Sequence, residues 1–152
     1  MPFEIFALSQ RLGTYLDRAL EGTGVRPAEY AVYSLMLEAG PRTPSELAAM
    51  LGMPLSTLST HIGAMLARGD AKRIPNPSDG RSVRIVLTDR GRGVIRRVNP
   101  PFTDALVALE ASLGRPVADV RAVLGEIHDA IERADAGLPM ASRPAETDTS
   151  SS

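Results

Sequence analysis

Residues 41–91 constrain this chain more than any other stretch, because turn and cap residues there divide it into short elements. Thr43 is a good helix N-cap, Pro44 falls on the first helical position, and Glu46 lies three residues after the cap. In that capping-box pattern the Thr hydroxyl and the Glu carboxylate satisfy two orphan amides reciprocally. The spacing turns Leu47, Met50 and Leu51 inward, and Gly52 closes the helix. A three-residue turn leads to Pro54, so the next helix must cross the first at a steep angle.

That next helix, about 54–68, carries Leu55, Leu58, Ile62, Met65 and Leu66 at a 3.6-residue period and assigns them to a core. Its opposite face shows Ser56, Thr57, Thr60, His61, Ala64 and Arg68, with no acid and no long aliphatic side chain. Ser59 falls on the inner side and is expected to pack closely. Thr and Ser are poor helix formers, so a face built from them is unusual for mere solvent exposure. Small hydroxyls, an imidazole and an arginine suit a helix that approaches base edges and phosphates.

A hairpin follows. Strands are expected over 71–74 and 82–87, the second with Val83, Ile85 and Leu87 on one face. Pro75, Asn76, Pro77, Ser78, Asp79 and Gly80 between them demand a loop. Arg81 emerges near its tip, with Arg73 and Arg84 on the flanks. An arginine on a thin hairpin fits a narrow A·T-rich minor groove, where negative potential is concentrated. Asp79 would be repelled by phosphate, so its expected role is to orient an arginine or cap the turn.

Charge is distributed to match. Residues 68–97 hold nine basic side chains against three acidic ones, a local net charge of +6 in a chain whose total is −1. A basic block in an acidic body is the footprint of a protein that docks one face on phosphate.

The flanks read as helices. Ile5, Leu8, Leu12, Tyr15 or Leu16, and Ala19 or Leu20 line one face of a helix over 3–21, which Gly22 and Gly24 end. Pro27 starts a second helix in which Tyr30, Val32, Tyr33, Leu35, Met36 and Leu37 leave little polar surface, so it belongs to the core. After the hairpin a long helix is expected from about Asp89 to Ser112, but Pro100 and Pro101 interrupt it and should kink or break it. Phe102, Leu106, Leu109 and Leu113 continue its stripe. A last helix from Pro116 has Val117, Val120, Val123, Leu124, Ile127 and Ile131 inward, broader than one neighbour needs, which fits burial against a second subunit. Residues 138–152 are Pro-, Ser- and Thr-rich and expected to be disordered.

The central segment resembles the winged helix-turn-helix of the MarR family of bacterial transcriptional regulators. Matching residues are Ser45-Glu46-Leu47-Ala48 with Leu51, Ser56-Thr57-Leu58-Ser59, Leu66-Ala67-Arg68-Gly69, Arg73, Asp79-Gly80-Arg81, and Val86-Leu87-Thr88 with Gly91. The resemblance implies that the helix over 54–68 reads DNA, that Arg81 is the wing arginine entering the minor groove, and that homodimers form through the first and last helices. One departure is Asp70, where the family usually has an apolar residue. It should be exposed or paired with Arg68 or Lys72, weakening the local positive field.

The expected fold class is therefore mainly α with a small β-hairpin wing (α+β): a winged helix-turn-helix lobe over about 27–88 and a helical dimerisation arm over about 3–21 and 89–136, in one domain of residues 1–137. The expected DNA-binding residues are Thr43, Ser45, Ser56, Thr57, Thr60, His61, Arg68, Arg73, Asp79, Arg81 and Arg84. The expected partners are double-stranded DNA, a second copy of the chain and a small-molecule effector whose site the sequence does not place. A winged helix used for protein contact, or a regulator with no ligand, are the alternatives.

Other classes fare badly. With 43% hydrophobic residues one core can be filled, and without cysteine there is no disulfide, thiolate zinc site or thiol redox sensor. No run approaches the ~18 apolar residues of a membrane span, and no basic leader or cleavage site marks the N-terminus, so the expected location is cytoplasmic. His61 and His128 are the only histidines and neither sits in a metal-spaced motif. Enzymatic activity, metals and cofactors are not expected; His128 reads as structural or solvated.

Overall fold

Capping residues punctuate the chain where the sequence places them. The computed structural model describes residues 2–137, so the tail expected to be disordered lies outside the described residues. Six helices and one hairpin follow in order: α1 (Pro2–Ala19), α2 (Pro27–Ala39), α3 (Pro44–Leu51), α4 (Leu55–Ala67), β1 (Ala71–Pro75), β2 (Val83–Leu87), α5 (Asp89–Ala111) and α6 (Val117–Asp135). The strands pair antiparallel with Ala71 opposite Leu87 and Arg73 opposite Ile85. Arg42 adds a bridge on the outer side of β2, its carbonyl accepting the Ile85 amide at 2.8 Å. The architecture is mainly helical with a two-stranded wing.

The chain divides between Leu109 and Glu110 into two units. In the first, the core gathers on α2: Tyr30, Val32, Tyr33 and Met36 meet Leu47 and Ala48 of α3, Leu58, Ile62 and Met65 of α4, Ile85 and Leu87 of β2, and Val94, Ile95 and Val98 of α5. Burying about a dozen such side chains, at roughly 1.5–3 kcal/mol each, is what holds two short helices and a two-stranded ribbon that would be unstable alone. In the second unit α6 has no buried residue; Val123, Leu124, Ile127 and Ile131 are exposed. Arg121 pairs with Glu110 there at 3.3 Å.

Four expectations need correction. Met50 is 53% exposed: the buried arc of α3 runs through Leu47, Leu51 and Ala48, and Met50 stands about 110° from its centre. Leu55 lies on the right arc of α4 but is that helix's first residue, where nothing covers it, and is 47% exposed. Ser59 is exposed rather than packed, since the inner arc of α4 closes at Leu66. The prolines do not break α5, which runs through both. Proline's φ is helical, and the two carbonyls it deprives of a donor belong to Arg96 and Arg97, exposed residues that water reaches. Tyr30 also clamps the helix across this step, its hydroxyl donating to Asn99 Oδ1 at 3.0 Å and its ring lying 4.7 Å from that of Phe102.

Candidate nucleic-acid interface

Local geometry sets α4 before any tertiary contact does. The capping box of α3 is complete: the Glu46 amide donates to Thr43 Oγ1 at 3.3 Å, and the Thr43 amide donates to Glu46 Oε2 at 2.7 Å. Bonds donated by the Thr43 amide and, second, by its hydroxyl hold the Glu46 carboxyl below the usual carboxylate range. Gly52 takes a left-handed φ of 59° and ends α3 in a Schellman turn, with Met53 N–H to the Ala48 carbonyl at 3.0 Å. The same device ends α4. Gly69 has φ 75°, its amide donates to Leu66 O at 3.0 Å, and the Asp70 amide donates to Met65 O at 2.8 Å. Each helix of the α3–turn–α4 unit is thus stopped by a glycine.

Ser56, Thr57, Ser59 and Thr60 are exposed together on the outer face of α4, and His61 is half-buried at its edge. Thr60 Oγ1 donates back to the Ser56 carbonyl at 3.1 Å, leaving its lone pairs outward. Thr43 is committed to its cap, and Ser45 is exposed one residue into α3.

The wing tip is internally braced. Asn76 Oδ1 accepts the Ser78 amide at 3.2 Å, Asn76 Nδ2 donates to Ser82 Oγ at 2.6 Å, and Asp79 Oδ1 accepts the Arg81 amide at 3.0 Å. Asp79 thus supports the turn from which Arg81 projects. Among the described residues the Arg81 and Arg73 guanidinium groups have no hydrogen-bond or ion-pair partner, and both residues are exposed. Arg84 is half-buried, with Nη2 3.4 Å from Ser78 Oγ and a buried Nε that meets no acceptor.

Arg68 is placed differently from the hydroxyls of α4. It caps the helix, donating from Nε to Asp70 Oδ2 at 3.0 Å, from Nη2 to the Tyr33 hydroxyl at 3.2 Å, and to Glu29. Asp70 is fully buried; it also accepts Tyr33 Oη–H at 2.7 Å and Arg90 Nε–H at 2.9 Å. Burial alone would raise its carboxyl, yet the bonds from Tyr33, Arg68 and Arg90 together hold it below the usual range. Burial pushes the Tyr33 phenol up to about 12. Of the two expectations for Asp70, pairing with Arg68 holds, whereas exposure and a pairing with Lys72 do not; a buried carboxylate needs several donors, and only Arg68, Tyr33 and Arg90 converge on it. Tyr33 was expected only as a core residue, and neither Glu29 nor Arg90 was expected at the site. The available signal was the phenol itself, which takes a partner when buried.

The MarR family profile matches residues 23–82 of the chain. The multiple antibiotic resistance protein MarR of Salmonella typhimurium is 29% identical over 90 residues, 59% of this chain, and the chain spans 62% of that relative's length. The M. tuberculosis transcriptional regulator MosR, solved in complex with DNA, superposes with a TM-score of 0.76 at 26% identity, over 87% of this chain and 96% of that one. The PcaV transcriptional regulator of Streptomyces coelicolor, solved with its natural ligand, shares the fold at 22% identity and a TM-score of 0.70, over 84% of this chain and 91% of that one.

Proposed function

The chain belongs to the MarR family of winged helix-turn-helix transcriptional regulators, and from that premise we propose that it is a sequence-specific DNA-binding regulator: a repressor, released by a small ligand, that acts as a homodimer on a pseudo-palindromic operator. As a member of this family it regulates and does not catalyse. The observation that carries the reading is the acid-free outer face of α4, where Ser56, Thr57, Ser59 and Thr60 lie exposed, next in sequence to a braced wing whose Arg81 has no partner among the described residues. Small hydroxyls let a helix backbone come close to major-groove edges, and an unengaged arginine is available to phosphate or the minor groove. DNA bound to MosR supports the same use of this fold.

Dimerisation is supported by apolar surface left without cover. Phe3, Phe6 and Leu8 of α1 are 85%, 65% and 62% exposed, and α6 buries none of its apolar side chains. Exposed apolar area on this scale marks an interface on a soluble chain. Two reading helices related by a two-fold axis meet one face of the duplex when half-site centres lie about 10 bp apart. An effector is supported by the ligand bound to PcaV and by an open cleft of about 390 Å³ lined by Val25, Tyr33, Arg68, Arg90 and Arg97.

The test is selection of duplexes from a random-sequence pool with the full chain, followed by footprinting. Two protected half-sites in inverted repeat are expected. Recovery of no preferred sequence would reject the reading and favour a winged helix used for protein contact.

A further inference from the structure

A buried carboxylate sits where an apolar side chain of similar volume would fill the space without desolvating a charge. Asp70 immediately follows the glycine that stops α4, and its side chain is only 2% exposed. Its Oδ2 takes Tyr33 of α2 and Arg68 at the end of α4, while Oδ1 takes Arg90 of α5. Its backbone joins the same knot: the Thr88 amide donates to Asp70 O at 3.0 Å, and Thr88 Oγ1 donates to Gly69 O at 2.7 Å. Four segments meet at one residue. Buried ion pairs contribute little net stability compared with well-packed apolar residues, but their hydrogen bonds are directional, so what the carboxylate adds over a hydrocarbon is orientation.

We propose that Asp70 is a positioning residue for DNA reading: its carboxylate, held by Tyr33, Arg68 and Arg90, fixes the C-terminal end of α4 against α2 and α5 and thereby sets the angle at which the hydroxyl face is presented. This rests on the reading that α4 recognises DNA. Arg68 and Arg90 serve here as internal ligands of Asp70 and not as phosphate contacts. Arg68 accordingly leaves the set of base- or phosphate-contacting residues, while Arg73 and Arg81 remain in it.

The experiment measures affinity of the full chain for a duplex selected with the wild-type protein and for a scrambled duplex of the same composition, across 50–200 mM salt. The variants are Asp70→Asn, Asp70→Leu and Arg90→Gln, each at a temperature where its circular dichroism is native. Asp70→Leu guards against a failure to fold, since it fills the slot with an apolar group. Each variant should lose about tenfold or more of the preference for the selected duplex, the equivalent of roughly one mismatched base pair, while affinity for scrambled DNA and the salt slope are kept. Asp70→Asn combined with Arg90→Gln should lose no more than either alone, because both remove one interaction. A purely structural role would lower thermal stability and leave the preference of the folded fraction intact, and that result overturns the proposal. A flatter salt slope in Arg90→Gln also overturns it, by making Arg90 a phosphate ligand. Should the wild-type protein itself show no preference for any duplex, the DNA-reading assignment falls and this inference with it; preference kept in wild type and variants alike removes this inference alone.

Discussion

Gly91 stands where α5 crosses the turn after α4, and replacing it with alanine should be unusually damaging. A Cβ built at this position would lie 2.1 Å from the Asp70 carbonyl oxygen and 3.1 Å from both its carbonyl carbon and Leu87 Cδ2. The nearest atom is backbone, so no side chain can swing aside. Restoring van der Waals contact requires α5 to move by about 1 Å from the turn. That displacement pulls directly on the Thr88 amide bond to Asp70 O, the Thr88 hydroxyl bond to Gly69 O and the Arg90 bond to Asp70. Overpacking costs about 1–3 kcal/mol and two weakened backbone-directed hydrogen bonds roughly 1 kcal/mol each, against a helix-propensity gain of about 1 kcal/mol for alanine over glycine. The net expectation is a loss of about 2–4 kcal/mol. Urea unfolding followed by circular dichroism, at one protomer concentration so that mass action is constant, reads it as a lowered midpoint at unchanged slope. Gly63 is the control: it lies inside α4 with nothing within 4 Å of its Cβ position, so Gly63→Ala should gain about 0.5–1 kcal/mol. If the two substitutions shift the midpoint alike, the close approach of α5 to the Gly69–Asp70 turn is not real.

Further outcomes test the interface and the charge network. Arg81→Ala should weaken selected and scrambled duplexes together and flatten the salt slope by about one unit per lost contact per subunit, whereas Thr60→Ala should cost about 1–3 kcal/mol on the selected duplex alone; an unchanged slope for Arg81→Ala would mean that the hairpin is no DNA wing. Because the folded-state pKa of Asp70 is depressed, its contribution is complete above the unfolded carboxyl value of about 4 and is lost as pH falls through the folded value. Wild type should therefore lose more stability between pH 6 and pH 3 than Asp70→Asn, and parallel urea midpoints across that range would contradict the network. Light scattering at micromolar concentration should give twice the 16.2 kDa of one chain; the single-chain mass would exclude the dimer.

Signals that act within a few residues were legible in advance. The Thr43, Pro44 and Glu46 triplet, the stop at Gly52, the turn residues expected over 75–80 and the alternation of Ile85 and Leu87 each encode their own geometry, and the helices and wing formed close to where those signals put them, with Pro75 closing β1 and the loop running over 76–82. Met50 and Ser59 lie outside buried arcs narrower than expected, and Leu55 shows where periodicity stops being enough. A helical wheel gives an angle, while burial also depends on how far the neighbouring elements extend along the axis. The Asp70 cluster was hidden for a different reason: its partner Tyr33 lies 37 residues earlier and Arg90 20 residues later, so no local pattern joins them. The distant intrachain partners of Arg68 were hidden for the same cause. Glu29, which accepts from its guanidinium, lies 39 residues earlier.

The proline pair in α5 has a consequence for amide exchange. Pro100 and Pro101 have no N–H to give the carbonyls of Arg96 and Arg97, so the i→i+4 ladder is interrupted across two successive rungs while the helix continues. Amides before the gap are locked through Val94, Ile95 and Val98 in the core, whereas those after it belong to a stretch whose Val107 and Leu109 are exposed. Cooperative opening of a helix propagates along its ladder, and here propagation has two missing links. One continuous helix should thus exchange as two segments, the residues before Pro100 at a free energy near that of global unfolding and those after Pro101 at a distinctly lower one.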